Sequence, residues 1–340
     1  MAQQNILIIK LGSFGDIVMA EGVMRGLRAA HARDHITLLT EPFYARFLKD
    51  APHFDAIITD DRPPRWQLHR LYQTRRNLKA HRFDLVYDLQ NSRRSHLYHR
   101  WLAPAKISSC FSDSTFYFDR NAALRENPHR AVHDLLAAQI RKADVEIVPE
   151  IGEDVGGDIA PDLRWAAADA ADIIPLLEEA GIEPENKGGF VLLVVGSSQH
   201  NKERRWPYYP ELIEALAAQN IACATAPGPD EMEHCHALAA PMILDKGAPL
   251  TFSQLIALAP HCRYVVGNDT GPTHLMAGAG TKGLALFKNS SAAICAAHAA
   301  RTGIDKTYDV ITCDDFKKVR VGEVMDYVKA GWGRNKGAGK

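Results

Sequence analysis

The sequence predicts an α/β protein built from two doubly wound parallel halves. Short apolar runs alternate with amphipathic stretches, the alternation breaks once in an acidic stretch rich in Gly and Pro, and glycine-bearing turns follow several of the apolar runs. At 340 residues the chain exceeds the usual size of a single core, which agrees with two domains.

Residues 5–10 read as a first strand, an apolar run fit for burial on both faces. The turn Leu11-Gly12-Ser13-Phe14-Gly15-Asp16 follows, and then an amphipathic stretch with Val18, Val23, Met24 and Leu27 at helical spacing. Further strands are expected at 36–40, 56–59 and 85–89, and helices near 42–49, 66–80 and 134–143. Periodicity is lost over 148–161, where the linker is placed. Strands resume at 190–195, 221–226, 264–266, 284–287 and 310–312, with helices at 208–219, 231–239, 251–259 and 322–330. The domains are therefore expected at 1–160 and 161–320, with a C-terminal helix and flexible Gly- and Lys-rich tail over 321–340. The natural architecture is two Rossmann-like halves facing a cleft. Loops 11–16, 196–207 and 267–274 fall at the carboxyl ends of strands, where such folds bind ligands.

Composition excludes more than it assigns. Hydrophobic content of 46% and charged content of 24% are those of an ordinary soluble domain, and the net charge is −1. The six cysteines are scattered, without CxxC or zinc-ligand spacing, and read as reduced residues of a cytoplasmic protein. The apolar run 6–9 is too short for a signal peptide or membrane span. Charge is unevenly spread: residues 62–106 hold eleven Lys or Arg and only two acids, Asp84 and Asp88, with four histidines among them. This is either a pair of solvated helices or a cationic face for an anionic acceptor or a phosphate-rich membrane surface. Its aromatics form no RNA-binding signature, so nucleic acid is not an expected partner.

The most informative stretch is GNDTGPTHLMAGAG, residues 267–280. Asp269 and Thr270 can cap a small-residue helix, Gly271 lets a ligand approach the backbone, and Pro272 suits the first turn. Free amides and the positive end of the helix dipole favour a diphosphate, and His274 adds a donor or serves as a structural histidine. In the first turn, Asp16 reads either as an N-cap or as a general base aimed at an acceptor hydroxyl. A dinucleotide reading with Glu41 on a ribose is weak, because Phe14 and Ile17 stand where the fingerprint needs glycines. In the middle loop, Ser197, Ser198, Lys202, Arg204 and Arg205 are suited to a leaving diphosphate, the alternative being an exposed basic loop that packs Trp206-Pro207. Glu231 could hold a ribose or merely complement a helix dipole.

Taken together, ILIIKLGSFGDIV, the RRWP segment and VVGNDTGPTHLMAGAG resemble the family 9 glycosyltransferases, the lipopolysaccharide heptosyltransferase group, in order and spacing over almost the whole chain. The resemblance implies a GT-B fold, an acceptor-binding first domain and a nucleotide-sugar domain second. It further implies an inverting, metal-independent transfer without cofactor, most typically of heptose from ADP-heptose to a lipopolysaccharide core or related glycan. By position, Asp16 matches the catalytic base; Asp269, Thr270, Gly271 and His274 match the donor motif; Glu231 matches the ribose-binding acid. Ser13, Arg93 and Arg94 are candidates on the acceptor side. The partners implied are a nucleotide-sugar donor and an anionic glycolipid, with peripheral contact at the inner face of the inner membrane. Arg204 departs from the lysine usual before the Trp-Pro pair, and Lys282 and Lys288 replace residues that are commonly Pro and Gly. Rival readings are transfer from another nucleotide sugar, a nucleotide-dependent oxidoreductase, and a non-catalytic sugar-nucleotide-binding protein.

Overall fold

The computed structural model of the chain describes residues 3–103, 105–128, 130–145, 159–183, 189–196, 205–288 and 308–333. Two compact units divide it, Met1–Ala160 and Pro161–Lys340.

The first unit runs β1 (Asn5–Ile9), α1 (Phe14–Ala30), β2 (His35–Thr40), α2 (Pro42–Leu48), β3 (Ala56–Thr59), α3 (Leu68–Ala80), β4 (Leu85–Asp88), α4 (Arg93–Leu102), β5 (Lys106–Ser109), β6 (Phe116–Tyr117), α5 (Arg120–Glu126) and α6 (Val132–Arg141). Its six strands are parallel, in the order β3-β2-β1-β4-β5-β6. Ile6, Leu7, Ile8 and Ile9 are all fully buried, as a strand covered by helices on both faces requires. The chain builds outward from β1 in one direction and then returns to add β4 on its other side, so the strand order reverses between β1 and β4.

The second unit runs α7 (Ala170–Glu179), β7 (Phe190–Val194), α8 (Tyr209–Ala217), β8 (Cys223–Thr225), α9 (Met232–His236), α10 (Phe252–Ala257), β9 (Cys262–Asn268), α11 (Gly271–Gly278), β10 (Gly283–Lys288), β11 (Tyr308–Cys313) and α12 (Val321–Gly333). Its five parallel strands are ordered β11-β10-β9-β7-β8, and the reversal lies between β7 and β9. One core of this unit joins Val191, Leu193, Val266, Leu284, Leu286 and the α8 and α12 faces around Trp206.

Several elements depart from the sequence expectation, each for a local reason. α4 was expected only as one of a pair of solvated helices, yet it has a buried side, on which Tyr98 and Leu102 alternate with Ser95 and His99. α7 carries Pro175 in its interior, yet Asp169 caps it through Ala171 N at 2.9 Å. The terminal helix runs past Ala330, where a tail was expected. Gly331 lets it lie against Tyr264, since a Cβ there would come within 2.2 Å of that ring, and the Arg263 guanidinium stacks 4.6 Å from the Trp332 ring. Among the described residues no helix is long and apolar enough to cross a membrane.

Candidate active site

Both reversals in strand order create a crevice at the carboxyl ends of two neighbouring strands that diverge beyond the sheet, the usual ligand position in a doubly wound fold. In the first unit the loops after β1 and β4 meet there. Gln90 Oε1 accepts the amides of Leu11 at 2.8 Å and Gly12 at 3.2 Å, and Lys10 Nζ donates to the Leu89 carbonyl at 3.2 Å. Gly12 has φ 151°, and a Cβ at that position would lie 2.9 Å from the Tyr44 ring, so the turn requires glycine twice over.

The helix after this turn starts at Phe14, with Ser13 as its N-cap. Asp16 is therefore not the N-cap; it stands three residues in, because the turn closes sooner than the glycine spacing suggested. Asp16 Oδ2 accepts from Ser13 N at 3.0 Å and from Ser13 Oγ at 3.3 Å, the return half of a capping box. Its other oxygen has no hydrogen-bond partner among the described residues, and the carboxylate is partly exposed. Lys10 is 5% exposed behind it; burial pushes its ammonium below the usual range, against the pull of Asp16 and Asp88. Lys10 was read only as the end of an apolar strand, and its sequence signal was one lysine closing four isoleucine or leucine positions.

The residues expected on the acceptor side separate. Ser13 and Arg93 are exposed. Arg94 is committed: Nε meets buried Asp60 at 3.2 Å and the Tyr98 hydroxyl at 2.5 Å, and Nη1 meets the Pro63 carbonyl at 2.9 Å. Burial opposes its charge, but these bonds and the Asp60 carboxylate raise its pKa above the ordinary value. Glu41 pairs with Arg62 at 2.9 Å, in place of the ribose contact that a dinucleotide site would give it.

In the second unit the loops after β7 and β9 converge. Asn268, fully buried, ties them together: Nδ2 donates to the Val195 and Gly196 carbonyls at 2.9 and 3.0 Å, while Oδ1 accepts from Trp206 N at 3.1 Å and the Tyr209 hydroxyl at 3.3 Å. Sequence reasoning treated Asn268 as a link in a motif, and its role as the stitch between strands was missed. Thr270 is the N-cap of α11, and the first intrahelical bond runs from His274 N to Thr270 O, so the amides of Gly271 and Thr273 precede the helical ladder. Thr270 does not cap through its side chain; its hydroxyl lies 3.3 Å from that of Thr273, which donates to the Asn268 carbonyl at 2.7 Å. His274, 5% exposed, faces Asp269 at 3.4 Å and lies against Phe287.

Glu231 joins this group from the loop after β8. Its carboxylate lies over Gly196, where a Cβ would come within 1.5 Å of Oε1, and it accepts the Gly228 amide at 3.0 Å. Burial raises its pKa above the usual carboxylate range, opposed by Gly228 and Arg205 and reinforced by Asp230. Thus Asp269, Thr270, Gly271, His274 and Glu231 stand at one crevice. Ser197, Ser198, Lys202 and Arg204 lie outside the described residues; of the loop cations, Arg205 is described and acts on Glu231.

The model of glycosyltransferase family 9 (heptosyltransferase) matches residues 71–314, more than half of the chain. The chain belongs to glycosyltransferase family 9. Among solved structures, a family 9 glycosyltransferase from Veillonella parvula DSM 2008 is similar with a TM-score of 0.76 at 15% identity, over 97% of each chain. ADP-heptose lps heptosyltransferase II of E. coli gives 0.69 at 16% identity, over 96% of this chain and 98% of its own. The E. coli heptosyltransferase WaaC with ADP gives 0.67 at 16% identity, over 96% and 99%. A search of curated protein sequences finds no match. The family 9 chain thus has the GT-B fold, with one Rossmann-like sheet in each unit.

Proposed function

We propose that this family 9 glycosyltransferase moves heptose from ADP-heptose, with inversion at the anomeric carbon, onto a lipopolysaccharide core or a related anionic cell-surface glycan. The observation that carries this reading is a pair of strand-order reversals, one bearing the held Asp16 carboxylate and the other the small-residue helix start at residues 269–274. The donor follows the relatives: WaaC of E. coli was solved with ADP and with ADP-2-deoxy-2-fluoro heptose.

The first unit receives the acceptor and the second holds the donor. Asp16 takes the proton of an acceptor hydroxyl while that oxygen bonds to the anomeric carbon from the face opposite the nucleotide. The bond from that carbon to the diphosphate oxygen breaks, positive charge spreads over the sugar ring, and ADP leaves with the electron pair. The departing charge is received by the Gly271 and Thr273 amides, by His274, and by Ser197, Ser198, Lys202, Arg204 and Arg205 of the middle loop, so no step calls on a metal or cofactor. Glu231 accepts ribose hydroxyls. Ser13 and Arg93 meet the acceptor, and Arg94 holds the Asp60–Pro63 corner beside them.

The enzyme acts in the cytoplasm and touches the inner membrane through α3. Only Leu78 of that helix is buried, and Trp66, Leu68 and Tyr72 are 80%, 73% and 60% exposed among exposed Arg65, Arg75, Arg76 and Lys79. Aromatic and basic side chains together suit an anionic interface. Sedimentation with phosphatidylglycerol vesicles should carry the protein down, and the Trp66→Ser, Leu68→Ser pair should release it; equal sedimentation of both would remove α3 from this role.

The decisive experiment is Asp16→Asn. Turnover should fall by about 10² to 10⁴ while ADP affinity by calorimetry stays unchanged. A fully active variant would remove Asp16 as the base. Thermal stabilisation of the wild type by a panel of nucleotide sugars tests the donor, since selective ligands raise Tm. Preference for a UDP-sugar would overturn ADP-heptose.

A further inference from the structure

Three side chains of the first unit, outside the groups used above, converge on one point. His96 and His99 stand one turn apart on α4, and Asp113 reaches them from the loop after β5. One ligand atom from each lies within 4.8 Å of the others. His96 Nε2 is 2.9 Å from both Asp113 oxygens, a two-oxygen approach to one ring nitrogen. The Phe111 ring stacks on His96 at 4.0 Å with an interplanar angle of 5°, fixing the imidazole plane.

Behind His99 stands the second layer of such a site, Asp88. His99 is 7% exposed, and its Nε2 is held at 3.0 Å by Asp88, which is fully buried. With Nε2 engaged by that carboxylate, the nitrogen left to ligate is Nδ1. Carboxylate, imidazole and metal in this order are the usual means of fixing the tautomer and orientation of a metal-binding histidine. Two imidazoles and one carboxylate suit zinc and its neighbours, with a fourth position for water.

We propose that His96, His99 and Asp113 form a binding site for one divalent transition-metal ion, with Asp88 orienting His99. Bonds of about 2.0–2.2 Å need the three ligand atoms closer than their present spread. Asp113, 67% exposed, has the freedom to close it while the two imidazoles stay fixed, His96 by Phe111 and His99 by Asp88. The site is independent of the transfer reading. It takes no part in that chemistry, although Asp88 also accepts the Gln90 and Asn91 amides at 3.0 and 2.9 Å and so links it to the loop that holds the Asp16 turn.

The test uses the full chain stripped with a chelator and titrated with Zn²⁺ by calorimetry, and with Co²⁺ for its visible spectrum. One equivalent should bind and raise Tm. Asp113→Asn and His96→Gln, both at accessible positions, should each weaken binding by about tenfold or more and abolish the cobalt bands of a His-ligated ion. His81→Gln, an exposed histidine outside the cluster, should change neither. Asp88→Asn should weaken Zn²⁺ binding without changing its stoichiometry; if that variant fails to fold, the two accessible variants still decide. Absence of Zn²⁺ binding by the wild type, or binding that survives Asp113→Asn and His96→Gln together, would reduce the cluster to an ion pair and overturn the site.

Discussion

Beyond β1 the proposed working group is a side chain, and protein donors hold it: the Ser13 amide and hydroxyl grip one oxygen of Asp16, while Gln90 pins the turn that carries it. Beyond β9 the proposed working groups are backbone amides at the start of α11, and the side chains around them, Asn268 and Thr273, face inward to hold the strands together. A base must be aimed, so the first unit surrounds a carboxylate with bonds that fix its direction. A diphosphate is large and carries its own charge, so the second unit needs small residues and a helix start that let it approach. Each crevice thus answers to its own demand, and substitutions can test the two separately.

The largest effect is expected where one side chain holds the whole second crevice. Asn268→Leu removes four hydrogen bonds and leaves the Val195 and Gly196 carbonyls, the Trp206 amide and the Tyr209 hydroxyl without that partner. A loss of about 3–5 kcal/mol is expected, because buried polar groups left unpaired are costly. Calorimetry should show a Tm lowered by about 6 °C or more, together with loss of ADP binding. A variant of unchanged Tm would mean that the loops after β7 and β9 are joined by something else.

In the first crevice the corresponding stitch is Gln90. Gln90→Leu frees the Leu11 and Gly12 amides. Turnover should fall by about 10- to 100-fold through misplacement of Asp16, with ADP affinity untouched. If kcat holds and only Tm falls, the bond serves stability alone. Gly196→Ala probes the second crevice more gently. Its Cβ would displace the Glu231 carboxylate and break its bond to the Gly228 amide, so ADP affinity should drop by about tenfold. Equal affinity would take Glu231 off the ribose.

The same contrast explains what the sequence disclosed. Strands such as β1 and β7 were legible because burial on both faces demands unbroken apolar runs, and α1 because its core side repeats at helical spacing. α4 was legible only as one of a pair of solvated helices, because its buried side mixes Tyr98 and Leu102 with Ser95 and His99, whose burial depends on bonds to Ser92 and Asp88. The residues proposed for the donor stood out as a motif, since the chemistry they offer is local, one turn of helix following one strand. Gln90, Lys10 and Asn268 were not, because each acts across a strand-order reversal that no short window contains. The spacing His96-Leu97-Tyr98-His99 was visible inside the basic segment, whereas Asp113 joins it only through the β5 loop.

The smallest effect has the sharpest sign. Burial raises the Glu231 pKa, so the folded chain holds that proton more tightly than the unfolded one does. This favours folding below the ordinary carboxylate pKa, and the advantage is lost as pH rises through the raised folded value. At neutral pH the ionised group therefore weighs against the folded state. Glu231→Gln keeps an oxygen for the Gly228 amide and removes the charge, so the ligand-free variant should be more stable near pH 7, by about 0.5 kcal/mol. The gain should shrink as pH falls through the Glu231 titration. ADP binding should weaken in the same variant, because a neutral amide accepts ribose hydroxyls less well than a carboxylate. A variant that is stabilised and binds ADP as well as the wild type would leave Glu231 a buried charge without a ligand, and the second crevice would then recognise the diphosphate through the start of α11 without that acid.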